Sequence, residues 1–296
     1  MILSYQRINS IFFFLIGTAI GSFLNVLIDR WSNDQPITGR SHCDFCKKQL
    51  KLLDLIPVFS FIFLRGRSRC CNKKLSWQYP LVELVTGVMF VFVVIASPAL
   101  RDVAISLPIG HSVLMGLLRQ PTYVSFLAMT LLLGIISCLI VIFFADVKYQ
   151  IIPDQIQLTL LILGFLLQIS KILIVGCNNG SLLNCYIVPL LNIFFSGIVV
   201  MAPILLIYLL SRGRGMGFGD VKLTFNMGIL LGIKGGLSAL YFAFILGGIF
   251  GAYLLLSKKK KLKSKIAFGP FLVISCIIML LFSDKVWQLI SSIYSY

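Results

Sequence analysis

The sequence predicts an all-α, polytopic membrane protein of about eight transmembrane helices, with a polar insertion between the first two. Of its 296 residues, 58% are hydrophobic, and several apolar runs approach the ~20 residues that a helix needs to cross a bilayer. The loops between these runs carry most of the lysine and arginine residues, which is typical of membrane topology signals. A soluble globular protein would not need apolar runs of this length.

The apolar runs give the order of the expected spans along the chain. The first run lacks a small-residue cleavage site, so we expect a retained span rather than a cleaved signal peptide. The sixth run is short and is interrupted by Gly228 and Gly232, so the count of eight depends on its crossing. The expected spans are 11–28, 80–98, 122–145, 156–175, 186–210, 221–233, 236–256 and 266–283.

The distribution of charge predicts the orientation. The formal net charge of +16 would suggest a nucleic-acid partner in a soluble protein, but basic residues between apolar runs indicate topology and contact with anionic lipid, and no nucleic acid is expected. Loops on one side of the eight-span arrangement, including the lysine run at 258–265, hold 20 of the 26 lysine and arginine residues. By the positive-inside rule, that side is cytoplasmic.

This topology divides the chain into a first transmembrane helix (1–28), a cytoplasmic cysteine-containing insertion (29–79) and a transmembrane bundle (80–296). Four cysteines lie in the insertion as two pairs, and four thiolates in two pairs suit a tetrahedral zinc ion. A structural zinc site is therefore expected; four free thiols, or His42 as a ligand, remain alternatives. The predicted ligands are Cys43, Cys46, Cys70 and Cys71.

The other four cysteines are expected to have no catalytic role. Cys138 and Cys276 lie within apolar runs and are interpreted as packing residues. Cys177 and Cys185 share a short polar loop. That pair is equally compatible with a disulfide and with two free thiols.

Two aspartates lie at the ends of apolar runs. Asp146 closes the run 122–145, and Asp220 precedes the run that begins at Val221. Each could simply cap a helix, but a charge at a membrane span is costly and its default interpretation is functional. Two carboxyl groups at the same depth predict an acid–base pair in which one activates water and the other polarises a peptide carbonyl.

The segment before the second aspartate, Gly215-Met216-Gly217-Phe218-Gly219-Asp220, is rich in glycine. Gly217 and Gly219 are expected to support the site, because glycine permits positive φ and close approach of another chain, which a β-branched residue would resist. Lys222 lies two residues beyond Asp220. It is expected to contact lipid phosphate, with tuning of the carboxylate as the alternative.

Five blocks of sequence together resemble the bacterial type IV prepilin leader peptidases. Two blocks carry the aspartates: Asp146 with the Ile151-Ile152-Pro153-Asp154 that follows it, and Gly217-Phe218-Gly219-Asp220 with Val221-Lys222-Leu223. The blocks occur in family order from about residue 18 to about residue 272, which is far more specific than a short glycine motif alone. The other three are Gly21-Ser22-Phe23-Leu24-Asn25-Val26, Tyr79-Pro80-Leu81-Val82-Glu83-Leu84 and Ala267-Phe268-Gly269-Pro270-Phe271.

The resemblance implies an aspartyl endopeptidase of the bacterial inner membrane, with Asp146 and Asp220 catalytic and facing the cytoplasm. It implies type IV prepilins or pseudopilins as substrates, cleaved after a glycine that follows a short basic leader. It also implies N-methylation of the new amino terminus with S-adenosylmethionine, and the block around Glu83, the only glutamate in the chain, is associated with that activity. Peptide hydrolysis itself is expected to need no cofactor.

The cysteines depart from the family pattern. Many members have a second Cys-x-x-Cys pair, and here Ser68 stands where its first cysteine belongs, with Cys71 as the second. Cys70 is then the candidate fourth ligand.

Two other classes of protein compete with the peptidase. A proton-coupled transporter would also have glycine-broken helices and intramembrane carboxylates, but the two aspartates lie at span ends and no inverted repeat is visible. A non-catalytic pilus or secretion assembly protein would not need to keep both aspartates. The sequence fixes neither the oligomeric state nor the pilin system.

Overall fold

The computed structural model describes residues 2–43, 45–105, 121–175, 186–213, 215–257 and 267–294, and this part of the chain is helical apart from loops and isolated β-bridges. Within it, six helices are long and apolar enough to cross a membrane. The polytopic helical fold is therefore confirmed. The helices are α1 (Ile2–Trp31), α2 (Phe59–Phe63), α3 (Gln78–Ile105), α4 (Pro121–Tyr149), α5 (Asp154–Val175), α6 (Val188–Leu210), α7 (Phe218–Leu256) and α8 (Gly269–Tyr294).

The chain forms two compact units, Met1–Ala99 and Leu100–Tyr296. In the first unit, α1 and α3 approach closely because α1 presents small residues at a spacing of four. A methyl group built on Gly21 would lie 2.7 Å from the Cα of Glu83. One turn further along α1, Asn25 Nδ2 donates a hydrogen bond to the carbonyl of Tyr79 at 3.1 Å. Asn25 thus has the helix–helix role expected of a polar residue in a span.

The insertion of the first unit has little regular structure. Its apolar middle forms a 3₁₀ helix, Leu52–Leu55, and the short α2. Neither is long enough to cross a bilayer.

In the second unit, α7 lies at the centre. It packs against α5, α6 and α8, and α4 completes the arrangement by packing against α5 and α8. Small residues allow the closest contact, between α6 and α7: a methyl group on Gly228 would lie 2.5 Å from the carbonyl oxygen of Ser196. This packing places the beginning of α7 beside the beginning of α5.

Helix α7 is broken at Gly232, where φ is 71° and ψ is −178°. A methyl group on Gly236 would lie 3.4 Å from the Cα of Gly228, whereas residues eight apart in a straight helix are about 12 Å apart. The chain therefore doubles back, and the expected spans 221–233 and 236–256 are its two halves. Counting the halves separately, and adding the short apolar helix Gly269–Ser283, gives the eight segments that the sequence predicts.

The break frees backbone carbonyls that an intact helix would use. Gln168 of α5 satisfies two of them, because its Nε2 donates to the carbonyls of Ile229 and Leu230, each at 2.8 Å. A break within a membrane span is tolerated when a neighbouring helix supplies such partners.

Candidate active site

Asp146 lies in the last turn of α4 and is only 6% exposed. Its Oδ2 atom is buried and has no hydrogen-bond partner among the described residues. The carboxyl group lies against Gly269, the first residue of α8, where a methyl group would come within 2.5 Å of Oδ2. An unpartnered buried carboxylate oxygen is costly, and packing alone does not offset that cost.

Asp220 is the third residue of α7 and is 8% exposed. Its Oδ2 accepts a hydrogen bond from the N–H of Gly217 at 3.3 Å. Asp220 therefore does cap the start of the helix, which was the alternative to a functional role. Its carbonyl accepts from the Thr224 hydroxyl at 3.1 Å. Capping and a functional role are compatible, because only part of the carboxyl group is used.

Gly219, next to Asp220, and Gly269, which lies against Asp146, both face Ile152 in the segment between α4 and α5. A methyl group on Gly219 would lie 3.2 Å from Ile152 Cβ, and one on Gly269 would lie 3.4 Å from Ile152 Cδ1. The carboxyl groups of Asp146 and Asp220 are close enough to interact electrostatically. The structure therefore brings these two predicted residues into one buried site.

The expected reason for the loop glycines is partly wrong. Gly217 has φ −77° and ψ 150°, an extended conformation that any residue adopts, and Gly219 lies inside α7. Positive φ occurs instead at Gly213, where φ is 73°. Gly219 does allow a close approach, since it faces Ile152, so its role is one of space rather than of backbone freedom.

Lys222 does not contact Asp220. Its Nζ lies 2.7 Å from Oδ1 of Asp154, at the start of α5, and 5.1 Å from the centre of the Phe218 ring. Both partners of the ion pair are solvent-accessible, with 38% and 73% of their side chains exposed. This geometry excludes tuning of the Asp220 carboxylate by direct contact with Lys222. Contact of Lys222 with lipid phosphate stays a prediction.

Two buried amides near the site were not singled out from the sequence. Gln157 and Asn226 are each 4% exposed. Gln157 Nε2 donates to the carbonyl of Gly219 at 2.8 Å, and Asn226 Nδ2 donates to Gln157 Oε1 at 3.0 Å. Their only signal in the sequence is a polar residue inside an apolar run.

Glu83 lies in a different place, within the first unit. Its carboxylate is buried and accepts a hydrogen bond from the N–H of Val58 at 2.7 Å. It lines a cavity of about 400 Å³ together with Asn25 and Asp29, a volume within the range of small-molecule sites. Asn25 is 5% exposed, and its Oδ1 has no partner among the described residues.

The four predicted metal ligands come together in the insertion. Their sulfur atoms all lie within 4.8 Å of one another, with 3.7 Å between Cys43 and Cys71 and 2.9 Å between Cys46 and Cys70. Four sulfurs at about 2.3 Å from a tetrahedral zinc lie about 3.8 Å apart. The donor set therefore fits zinc.

The cysteines lie on two turns that share their bridges and backbone hydrogen bonds among the described residues. Turns 42–49 and 67–74 each close with an antiparallel bridge between their end residues. The N–H of Cys43 and that of Ser68 each donate to the carbonyl five residues later at 2.9 Å. Ser68 thus occupies the position equivalent to Cys43, and Cys70 supplies the extra sulfur.

The thiol of Cys43 is prepared for metal binding. Burial acts to raise its pKa, but hydrogen bonds from Ser68 and from the backbone of Cys46 and Phe45 bring the pKa to about 6. The thiolate is the form that binds metal, and these hydrogen bonds favour it.

Of the remaining cysteines, the two within the described residues agree with expectation. Cys138 and Cys276 are buried, as expected of packing residues. Cys177, Cys185 and the lysine run at 258–265 lie outside the described residues.

Comparison with known proteins assigns both halves of the chain. Residues 15–97 match the Bacterial Peptidase A24 N-terminal domain, and residues 133–252 match the Type IV leader peptidase family. No solved structure matches the chain.

The chain is also similar along its length to curated proteins named Prepilin leader peptidase/N-methyltransferase. That of Aeromonas salmonicida (strain A449) is 31% identical, covering 93% of this chain and 92% of the relative. Those of Dickeya chrysanthemi and Bacillus subtilis (strain 168) are 30% and 28% identical and cover 92% of this chain. The chain therefore belongs to the type IV leader peptidase family.

Proposed function

We propose that the protein is an aspartyl endopeptidase that removes the leader peptide from type IV prepilins or pseudopilins, with Asp146 and Asp220 as its catalytic pair. The observation that carries the proposal is that two buried carboxyl groups lie close enough to interact, while the glycines beside them both face Ile152. Relatives that match more than nine-tenths of their own length are named for this activity.

The two carboxyl groups share one proton, because two like charges at close range do not both ionise. The ionised group accepts a proton from water as the water oxygen bonds to the scissile carbonyl carbon. The protonated group donates a hydrogen bond to the carbonyl oxygen. When the tetrahedral intermediate collapses, the C–N bond breaks and a carboxyl group returns a proton to the leaving amine.

The surroundings of the two carboxyl groups differ, which supports different roles for Asp146 and Asp220. Oδ2 of Asp146 has no hydrogen-bond partner among the described residues, so its capacity to accept a hydrogen bond is unused, whereas Oδ2 of Asp220 already accepts a hydrogen bond from the N–H of Gly217. We place the site at the cytoplasmic face because basic residues flank the spans on that side. A substrate with a basic leader and an apolar helix would then meet the site at the membrane boundary.

The test is cleavage of a prepilin by the purified protein reconstituted in lipid. Asp146→Asn and Asp220→Asn should each reduce cleavage to background while keeping the thermal midpoint, because asparagine cannot gain and lose the proton. Asp154→Asn is the matched control, since this exposed carboxylate lies nearby but pairs with Lys222. Cleavage by either folded catalytic variant would refute the pair, and an inactive native protein would favour the transporter or assembly role.

A second activity, N-methylation of the new amino terminus, is proposed for the first unit. The cavity beside Glu83 is the observation that favours it, since it combines a buried carboxylate with the unpartnered Asn25 Oδ1. S-adenosylmethionine, when bound, supplies the methyl group. Asn25 Oδ1 would orient the substrate amine by accepting a hydrogen bond from its N–H. Glu83 would take the proton that the amine loses.

Binding of radiolabelled S-adenosylmethionine to the purified protein tests the cavity without relying on turnover, and absence of binding would refute the cavity as its site. The role of Glu83 is tested separately, by methyl transfer. Glu83→Gln should abolish methyl transfer while leaving peptide cleavage intact, because the aspartate pair lies in the second unit. Leu81→Ala, on an exposed position of the same helix, is the control. Methyl transfer by Glu83→Gln at the native rate would exclude Glu83 as the proton acceptor.

We also propose that the four cysteines hold a structural zinc ion, with Cys70 in place of the cysteine that Ser68 replaces. The supporting observations are the clustered sulfur atoms and the equivalence of the two turns. Zinc ligation would order an insertion that has few regular elements. Metal loss should therefore impair methyl transfer more than peptide cleavage.

A further inference from the structure

We propose that Gln157 is a positioning residue for Asp220, and that Asn226 in turn orients Gln157. We call these two side chains the amide latch. The inference rests on the proposed peptidase activity, but it concerns residues outside the carboxyl pair. Neither side chain contacts the substrate in this proposal.

The first contact of the latch fixes the peptide bond that precedes Asp220. Gln157 Nε2 donates to the carbonyl of Gly219 at 2.8 Å. That carbonyl belongs to the same planar peptide unit as the N–H of Asp220, so holding one end of the plane holds the other. The carboxyl group of Asp220 therefore starts from a backbone that α5 holds in place.

The second contact fixes Gln157 itself. Asn226 Nδ2 has two hydrogens, and it donates to the Gln157 backbone carbonyl at 3.1 Å and to Gln157 Oε1 at 3.0 Å. Both ends of the Gln157 amide are thus used, which gives its side chain one orientation. Each member of the latch is 4% exposed, so water cannot replace a lost partner without cost.

The latch also connects the segments that carry the two aspartates. Gln157 lies in the first turn of α5, directly after the Ile152 segment that follows the helix of Asp146. Asn226 lies two turns into the helix of Asp220. A shift of the reacting groups of about 1 Å is enough to lower a rate by up to 10²-fold, so a link of this kind can determine turnover.

The chain supplies a matched comparison for a merely structural role. Gln168 lies about three turns further along α5, and it donates to the carbonyls of Ile229 and Leu230 on the same helix α7. Gln157→Met and Gln168→Met therefore remove the same kind of part-buried bond, from an amide of α5 to a backbone carbonyl of α7. Only the first removes it beside Asp220.

The experiment measures kcat, KM and thermal midpoint for prepilin cleavage by the full-length protein in lipid. Gln157→Met should lower kcat on the order of 10- to 100-fold with KM changed less than about threefold, whereas Gln168→Met should keep both constants despite a similar fall in thermal midpoint. Asn226→Leu should lower kcat in the same way. The Gln157→Met, Asn226→Leu double variant should lose little more than either single one, because coupled residues are non-additive.

Two results separate the possible failures. A kcat for Gln157→Met equal to that of Gln168→Met, with cleavage still abolished in Asp220→Asn, would overturn the latch and leave the peptidase standing. Native cleavage that survives Asp220→Asn would instead overturn the peptidase assignment on which the latch rests. If Gln157→Met fails to fold, Gln157→Glu provides the second test: its carboxylate faces the Gly219 carbonyl without a hydrogen to donate, so native kcat in this variant would also overturn the proposal.

Discussion

Gly269 lies in direct contact with the carboxyl group of Asp146, and the smallest possible side chain at position 269 would approach Oδ2 to 2.5 Å. The same added carbon would lie 3.4 Å from Ile152 Cδ1. The start of α8 therefore forms one wall of the site. This contact gives a physical reason for a glycine that the sequence analysis noted only as part of a resemblance.

Gly269→Ala should lower kcat for cleavage by about tenfold or more, since the methyl group must displace the Asp146 carboxyl group. Gly248→Ala is the matched control, because a methyl group at Gly248 meets no atom within 4 Å. Steady-state kinetics on both reconstituted variants checks the prediction. Equal kcat values for the two variants would show that the wall does not constrain Asp146.

Gly219→Val should impair cleavage more than Gly217→Val. An added carbon at Gly219 would lie 3.2 Å from Ile152 Cβ, whereas one at Gly217 would lie at an ordinary 3.6 Å from Asp220 Oδ2. Overpacking of this kind typically costs about 1–3 kcal/mol. Parallel measurements of kcat and thermal midpoint would decide the order, and a larger loss for Gly217→Val would contradict it.

The native protein should contain about one zinc per chain, and Cys43→Ser should remove it. Combining Ser68→Cys with Cys70→Ser should retain the metal, because Ser68 occupies the position equivalent to Cys43 on the second turn. Elemental analysis of the purified variants measures this. Ser68→Ala with Cys70→Ser is the control that lacks the new thiol, and equal zinc in both double variants would disprove the equivalence.

Lys222→Gln should lower the free energy of unfolding by less than about 1 kcal/mol, because exposed ion pairs contribute little. Its partner Asp154 is largely exposed, and neither atom of the pair touches Asp220. Cleavage should therefore change only slightly. A large fall in kcat with unchanged stability would indicate that Lys222 acts on the substrate or on lipid instead.

The sequence predicts those features that leave a local signal. Asp146 and Asp220 stand out because they are charges at the ends of apolar runs, and the break at Gly232 lies within the short run that the sequence marks as interrupted by two glycines. The bond between Gln157 and Asn226 joins residues 69 apart and leaves no periodic pattern, so no local rule finds it.

Other features were missed because their causes are tertiary. The partner of Lys222 depends on how α5 and α7 pack, and α5 brings Asp154 within reach only in the folded chain. The conformation of Gly217 was predicted wrongly from its residue type, because glycine permits positive φ without requiring it. Position 219 requires glycine because Ile152 packs against it and leaves little room for a side chain. That contact is visible only in three dimensions.

The fold-back at Gly232 has a consequence for membrane depth. The stretch from Asp220 to Gly232 rises about 18 Å at about 1.5 Å per residue, which is shorter than the ~30 Å hydrocarbon core of a typical bilayer. The turn carries Lys234, whose charge belongs near the polar boundary. This hydrophobic mismatch either draws Asp220 inward or thins the lipid around it. Either adjustment brings the carboxyl group of Asp220 closer to the middle of the bilayer than the end of a full-length span would lie.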